Sequence, residues 1–226
     1  MEDIATAQQH AARCGLKLIR TDDGLALAGD GMVLHADFRS LAGRLAPGKL
    51  NRELLVRAAK VKHADGEAPL AVDATAGLGE DALLLAAAGF RVKLFERNPV
   101  IAALLDDALA RDGHGPALAE AVGRMELIGG DSIEALRTGT LAPDVVYLDP
   151  MFPARRKSAA VKKKFQLLHH LERPCNDAEQ LLEAALAAHP RKVVVKRPSK
   201  GPYLADVKPS YSLEGKAVRY DVIALP

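Results

Sequence analysis

The segment Val72-Asp73-Ala74-Thr75-Ala76-Gly77-Leu78-Gly79-Glu80-Asp81-Ala82 joins an apolar strand at 70–72 to a helix over 82–88. Strand, glycine loop and helix in that order form the opening unit of a doubly wound α/β fold, whose ligands bind at the loop. Gly77 and Gly79 let the backbone approach a ligand closely and leave amide N–H groups to meet it. The rhythm continues with strands at 91–95, 125–128, 144–148 and 192–196, helices opening at Pro99, Ser132 and Asp177, and a terminal strand at 218–225. Strands alternating with helices imply a mostly parallel sheet covered on both faces. Residues 50–62 carry apolar positions at helical spacing. Residues 1–45 read as short strands and hairpins punctuated by Gly24, Gly29 and Gly31, a small β-rich N-terminal extension before a main domain over 46–226.

Composition narrows the class. Of 226 residues, 49% are apolar and the net charge is only +2, which excludes global disorder. The longest apolar run, 82–90, is about half the roughly 20 residues a membrane span needs. The N-terminus, Met1-Glu2-Asp3, has no apolar stretch behind it and is not a signal peptide. Cys14 and Cys175 are too far apart for a metal knuckle. The expectation is a cytoplasmic chain without a structural metal. Its charge is uneven: residues 1–150 hold 16 Lys/Arg against 22 Asp/Glu, and residues 151–226 hold 15 against 7. One end of the chain therefore faces an anionic partner.

Charge also selects the ligand of the glycine loop. Glu96 ends the next strand, nineteen residues after Gly77, where a carboxylate accepts hydrogen bonds from ribose hydroxyls. Loop and acid together call for an adenosine-containing cofactor. A dinucleotide would bring a diphosphate against Asp73, Glu80 and Asp81, whereas S-adenosylmethionine brings an ammonium and a sulfonium. Two unit charges about 4 Å apart interact by roughly 4 kcal/mol at a near-surface dielectric, which favours the cationic ligand. Asp131, after Gly129-Gly130, fits an acceptor for an adenine amino group, and Ser132 either assists it or caps a short helix.

At the end of the 144–148 strand, Asp149-Pro150-Met151-Phe152 resembles the Asp/Asn-Pro-Pro-Tyr/Phe signature of methyltransferases that act on exocyclic amino groups of bases. Such an amine delocalises its lone pair into the ring and is a poor nucleophile. The Asp149 carboxylate and the Pro150 carbonyl, accepting its two N–H hydrogens, push the nitrogen toward sp³, and proline stiffens the turn that aims them. Phe152 stacks on a base taken out of its helix. The runs 72–82, 96–107, 145–153, 157–159 and 193–198 together resemble the bacterial 16S ribosomal RNA (guanine-N2)-methyltransferases, over roughly residues 45–225. That resemblance implies a Rossmann-like class I methyltransferase fold, S-adenosylmethionine as donor and N2 of a guanine as acceptor. It also implies cofactor contacts at Glu80, Asp81, Glu96, Arg97, Asp131, Ser132 and Asp149.

Arg155, Arg156, Lys157, Lys162, Lys163 and Lys164 follow the catalytic turn, and Lys196-Arg197 ends a neighbouring strand on the same sheet edge. These are the candidates for rRNA phosphate contacts. His169 and His170 read as helix-surface residues, because the methylated amine loses its proton to water. Three alternatives share the scaffold: an N6-adenine or small-molecule methyltransferase, an NAD-dependent oxidoreductase that Asp73 argues against, and a non-catalytic RNA-binding protein.

Overall fold

The computed structural model describes residues 4–62, 66–113, 118–150, 162–171 and 177–226. Helix α1 (Ile4–Arg13) leads into strands β1 (Lys17–Thr21), β2 (Gly24–Gly29) and β3 (Met32–Leu34), then a 3₁₀ turn at Arg39–Arg44 and helices α2 (Pro47–Leu50) and α3 (Leu54–Ala59). The main unit follows as β4 (Leu70–Asp73), α4 (Glu80–Ala87), β5 (Arg91–Leu94), α5 (Pro99–Asp112), α6 (Ala119–Val122), β6 (Met125–Leu127), α7 (Ser132–Arg137) and β7 (Val145–Leu148). It closes with α8 (Lys162–Leu171), α9 (Ala178–Ala187), β8 (Lys192–Pro198), β9 (Tyr211–Glu214) and β10 (Val218–Ala224).

The seven-stranded sheet runs β6-β5-β4-β7-β8-β10-β9. Strands β4 to β8 pair in parallel, and β10 is antiparallel to both β8 and β9. From β4 the chain steps outward to β5 and β6, then returns to lay β7 beside β4. The loops leaving β4 and β7 diverge at this reversal and open a crevice at the carboxyl ends of the strands. Because β7 is central, Val145, Val146, Tyr147 and Leu148 are all buried. Alternation sends Val145 and Tyr147 into the core shared with α4 and α5, and Val146 and Leu148 into the one shared with α7 and α9.

Two findings depart from the sequence reading. The N-terminal extension opens with a helix, α1, whose apolar stripe of Ala7 and Ala11 is too small to stand out in the pattern yet is buried. An edge strand, β9, lies where none was expected; with no fully buried residue, it lacks a core pattern to betray it.

The N-terminal sheet, of order β1-β2-β3, is fastened to α5 by polar ties. The Leu25 and Phe38 amides each donate over 2.9 Å, to Asp107 and Asp112, and Arg111 donates to the Ala36 carbonyl. Helix α5 itself starts where Asn98 Oδ1 accepts the Val100 and Ile101 amides with Pro99 in the first turn.

Candidate active site

A cavity of about 560 Å³ sits at the crevice, walled by the loops after β4, β5 and β7 and by Leu168 and Leu171 of α8. On its floor, Glu96 is committed on both oxygens: Oε2 accepts the Gly77 amide at 2.9 Å and Oε1 the Asn98 amide at 2.8 Å. The bridge to Gly77 sets the curve of the loop after β4. Burial raises the Glu96 carboxyl above its ordinary value, partly offset by those two amides. Asp73, at the end of β4, is 1% exposed and accepts the Thr75 amide, and burial pushes it well up.

Opposite lies Asp149. Its backbone amide donates to Thr75 Oγ1 over 2.7 Å, and Lys196 Nζ stands 2.9 Å from its Oδ2. The same ammonium is 2.6 Å from Asp81 Oδ2, which also accepts the Tyr147 hydroxyl at 2.6 Å. Burial raises Asp149 while Lys196 pulls it back down. For Lys196, burial works against the charge, but Asp81 and Asp149 outweigh it and hold the ammonium above its ordinary value. Pro150 closes this wall.

The structure brings Asp73, Gly77, Glu80, Asp81, Glu96, Arg97, Asp149 and Pro150 to one cavity. Several expected roles need correction. The loop amides are not left for a ligand: Gly77 N–H goes to Glu96 and Gly79 N–H to the Ala76 carbonyl. Gly79, at φ +77°, instead permits packing, since a Cβ there would come 2.6 Å from Leu105 Cδ1. Asp131 caps α7 by accepting the Ile133 amide, so capping falls to Asp131 rather than Ser132. Lys196 and Arg197 do not form a joint phosphate patch, because strand alternation sends them to opposite faces. Lys196 turns into the carboxylate cluster. Arg197 is 2% exposed, donates to the Pro202 carbonyl, and is pulled down to about 10 by burial and by Arg219.

Arg97 Nη1 lies 2.5 Å from Asp177 Oδ2 at the cavity rim. His170 is an exposed helix residue with Nε2 3.4 Å from Asp30. Met151, Phe152, Arg155, Arg156 and Lys157 lie outside the described residues, as do the side chains of Lys162, Lys163, Lys164 and His169 on α8.

Thr75, Tyr147 and the inward role of Lys196 were missed. A hydroxyl-bearing Tyr147 in an otherwise aliphatic strand, and a lysine in phase with Val194 on β8, were the signals available.

The cavity suits a cationic nucleoside: Asp73, Asp81, Glu96 and Asp149 converge on it, and Phe95, Ile101 and Leu181 supply an apolar wall for a ring. Comparison with known proteins agrees. The family model described as "Putative SAM-dependent methyltransferase" matches residues 4–224. Ribosomal RNA small subunit methyltransferase J of Pseudomonas savastanoi pv. phaseolicola is 44% identical over 220 residues, covering 94% of this chain and 81% of that protein. The protein of the same name from Pseudomonas syringae pv. syringae is 42% identical over 232 residues, covering 96% and 86%. The crystal structure of a SAM-dependent methyltransferase from Neisseria gonorrhoeae superposes with a TM-score of 0.70 at 32% identity, covering 92% of this chain and 81% of that one.

Proposed function

The chain belongs to the family of SAM-dependent methyltransferases, and from that premise we propose that it methylates the exocyclic N2 of a guanine in 16S ribosomal RNA. Support for an rRNA substrate comes from the names of its relatives and from the basic excess of residues 151–226, which suits a polyanion. An rRNA substrate places the enzyme in the cytoplasm with the ribosome.

The observation that carries the reading is the position of Asp149-Pro150, at the end of β7 on the cavity that Asp73 and Glu96 also line. S-adenosylmethionine, when bound, supplies a methyl group on a positively charged sulfur. Glu96, held rigid by two amides, retains lone pairs for ribose hydroxyls. Asp73 and Asp81 would supply carboxylates to its cationic groups, and a cation beside Asp73 would draw that raised carboxyl toward its ionised form. The Asp149 carboxylate and the Pro150 carbonyl accept the two amine hydrogens, so the nitrogen lone pair is freed from the ring and aimed. Because both acceptors sit on a turn anchored to Thr75, the geometry exists before the base arrives. The nitrogen would form the new N–C bond as the donor's S–CH₃ bond breaks, the sulfonium leaving as a neutral thioether, and the nitrogen would then shed a proton to water. Phe152 is the aromatic that stacks on the guanine, and Arg155, Arg156 and Lys157, with Lys162, Lys163 and Lys164, meet rRNA phosphates.

Asp149→Ala tests the assignment. It should still bind S-adenosylmethionine, measured by calorimetry, though more weakly for the loss of one carboxylate, yet transfer no methyl group to small ribosomal subunits. Full transfer by the variant would refute the role of Asp149.

A further inference from the structure

We propose that Lys196 is a positioning residue, holding the Asp149 carboxylate ionised and turned toward the target amine. The inference rests on the reading that Asp149 accepts an amine hydrogen. Strand β8 places Lys196 in phase with Val194, on the face opposite Val193 and Val195, so its stem crosses packed surface and only its head reaches the cluster. There Nζ bridges Asp81 Oδ2 at 2.6 Å and Asp149 Oδ2 at 2.9 Å. Asp81 is anchored in turn by the Tyr147 hydroxyl, so Lys196 is held from the side away from the turn.

The surroundings show what the ammonium opposes. Asp73 from β4 and Asp81 from α4 both act on Asp149 or its partners as like charges. The cluster is also faced by Tyr147 of β7, Tyr220 of β10 directly across from Lys196 and Arg44 of the 3₁₀ turn, while Arg197, on the other face of β8, acts on Asp149 only weakly and from farther off. Of these, Lys196 is the cation that touches Asp149. Three carboxylates in one half-buried crevice cannot all stay charged without such a partner. A protonated Asp149 would present an O–H donor where the amine also presents donors, and acceptance would fail. Lys196 takes Oδ2, leaving Oδ1 to the amine. A compact ammonium suits a bridge between two carboxylates better than a planar guanidinium.

The test is the pH dependence of kcat/KM for methyl transfer to unmodified small subunits, for wild type, Lys196→Met, Lys196→Arg and Asp149→Asn. Activity requires ionised Asp149, so removing Lys196 should move the acid limb to higher pH. Lys196→Met should lose on the order of 100-fold at neutral pH, as for a misplaced catalytic group. It should recover part of that at alkaline pH and bind S-adenosylmethionine no more weakly than wild type. Lys196→Arg should return the limb toward its original position. An unmoved limb, or an equal loss at every pH, would overturn the proposal and leave Lys196 a packing residue. If Lys196→Met does not fold, Lys196→Gln carries the same test, since it keeps a donor without the charge. Wild-type activity in Asp149→Asn would instead refute the role of Asp149 itself.

Discussion

The amide of Asp149 donates to the hydroxyl of Thr75 over 2.7 Å, across the line where β7 returns beside β4. One hydrogen bond thus joins the glycine loop after β4 to the Asp149-Pro150 turn that we propose holds the target amine. Backbone bonds brace it on either side: Ala74 N–H to the Tyr147 carbonyl and Ala76 N–H to the Phe95 carbonyl.

Thr75→Val keeps the shape of the side chain but leaves the Asp149 amide without its acceptor. The loss should be about 1 kcal/mol of stability and roughly tenfold in kcat/KM, because the turn is no longer aimed. Thr75→Ser should restore both. Calorimetric unfolding and methyl-transfer kinetics check this; an unchanged kcat/KM would show that the bond is incidental.

Gly77 and Gly79 should respond differently to alanine. Both have positive φ, but a Cβ at Gly79 would meet Leu105 at 2.6 Å and Phe38 at 3.1 Å, whereas the nearest atom to one at Gly77 is 4.0 Å away. Gly77→Ala pays only left-handed strain, roughly 1–2 kcal/mol. Gly79→Ala adds overpacking of about 1–3 kcal/mol, so its melting temperature should fall further. The opposite order would contradict the packing role of Gly79.

The contrast shows how much of the site could be read in advance. The glycine loop, Glu96 and the Asp149-Pro150 turn were legible because each couples a residue type to a strand end, and strand ends follow from apolar periodicity. The parallel sheet was legible for the same reason. What Gly79 does was not, because Leu105 and Phe38 reach it from distant parts of the chain. Lys196-Arg197 looked like one basic patch; only strand alternation, applied residue by residue, separates an inward Lys196 from a buried Arg197. Asp131 was read as a ligand contact; that its Oδ1 also caps α7 is a second role, set by where the helix begins.

Acidity should stabilise the unliganded protein relative to neutral pH through Asp73. Burial raises its carboxyl well above the ordinary 3.8, so the folded state binds more protons than the unfolded chain above that value. Stability from this group is complete below the unfolded value and declines as pH climbs through the raised one. Asp73→Asn should flatten that decline in melting temperature against pH. An identical slope in wild type and variant would contradict it. S-adenosylmethionine, a cation, should bind the wild type more tightly as pH rises over the same window.

Glu96→Gln should weaken cofactor binding. Both Glu96 oxygens accept amides, and a carboxamide must turn its NH₂ toward either Gly77 or Asn98. Leaving one donor unmatched costs the fold about 1–3 kcal/mol, and the ribose hydroxyls lose a charged acceptor worth about 1.5–3 kcal/mol, which at the upper end is about a hundredfold in Kd. Calorimetric titration reads it directly; an unaltered Kd would remove Glu96 from the cofactor site.

The central claim is best tested on small ribosomal subunits from cells lacking this gene, incubated with the enzyme and S-adenosylmethionine carrying a labelled methyl group. Digestion to nucleosides and mass analysis identify the product, with Asp149→Ala in parallel. The account predicts label in N2-methylguanosine and none with the variant. Label in any other nucleoside, or equal transfer by Asp149→Ala, would contradict it.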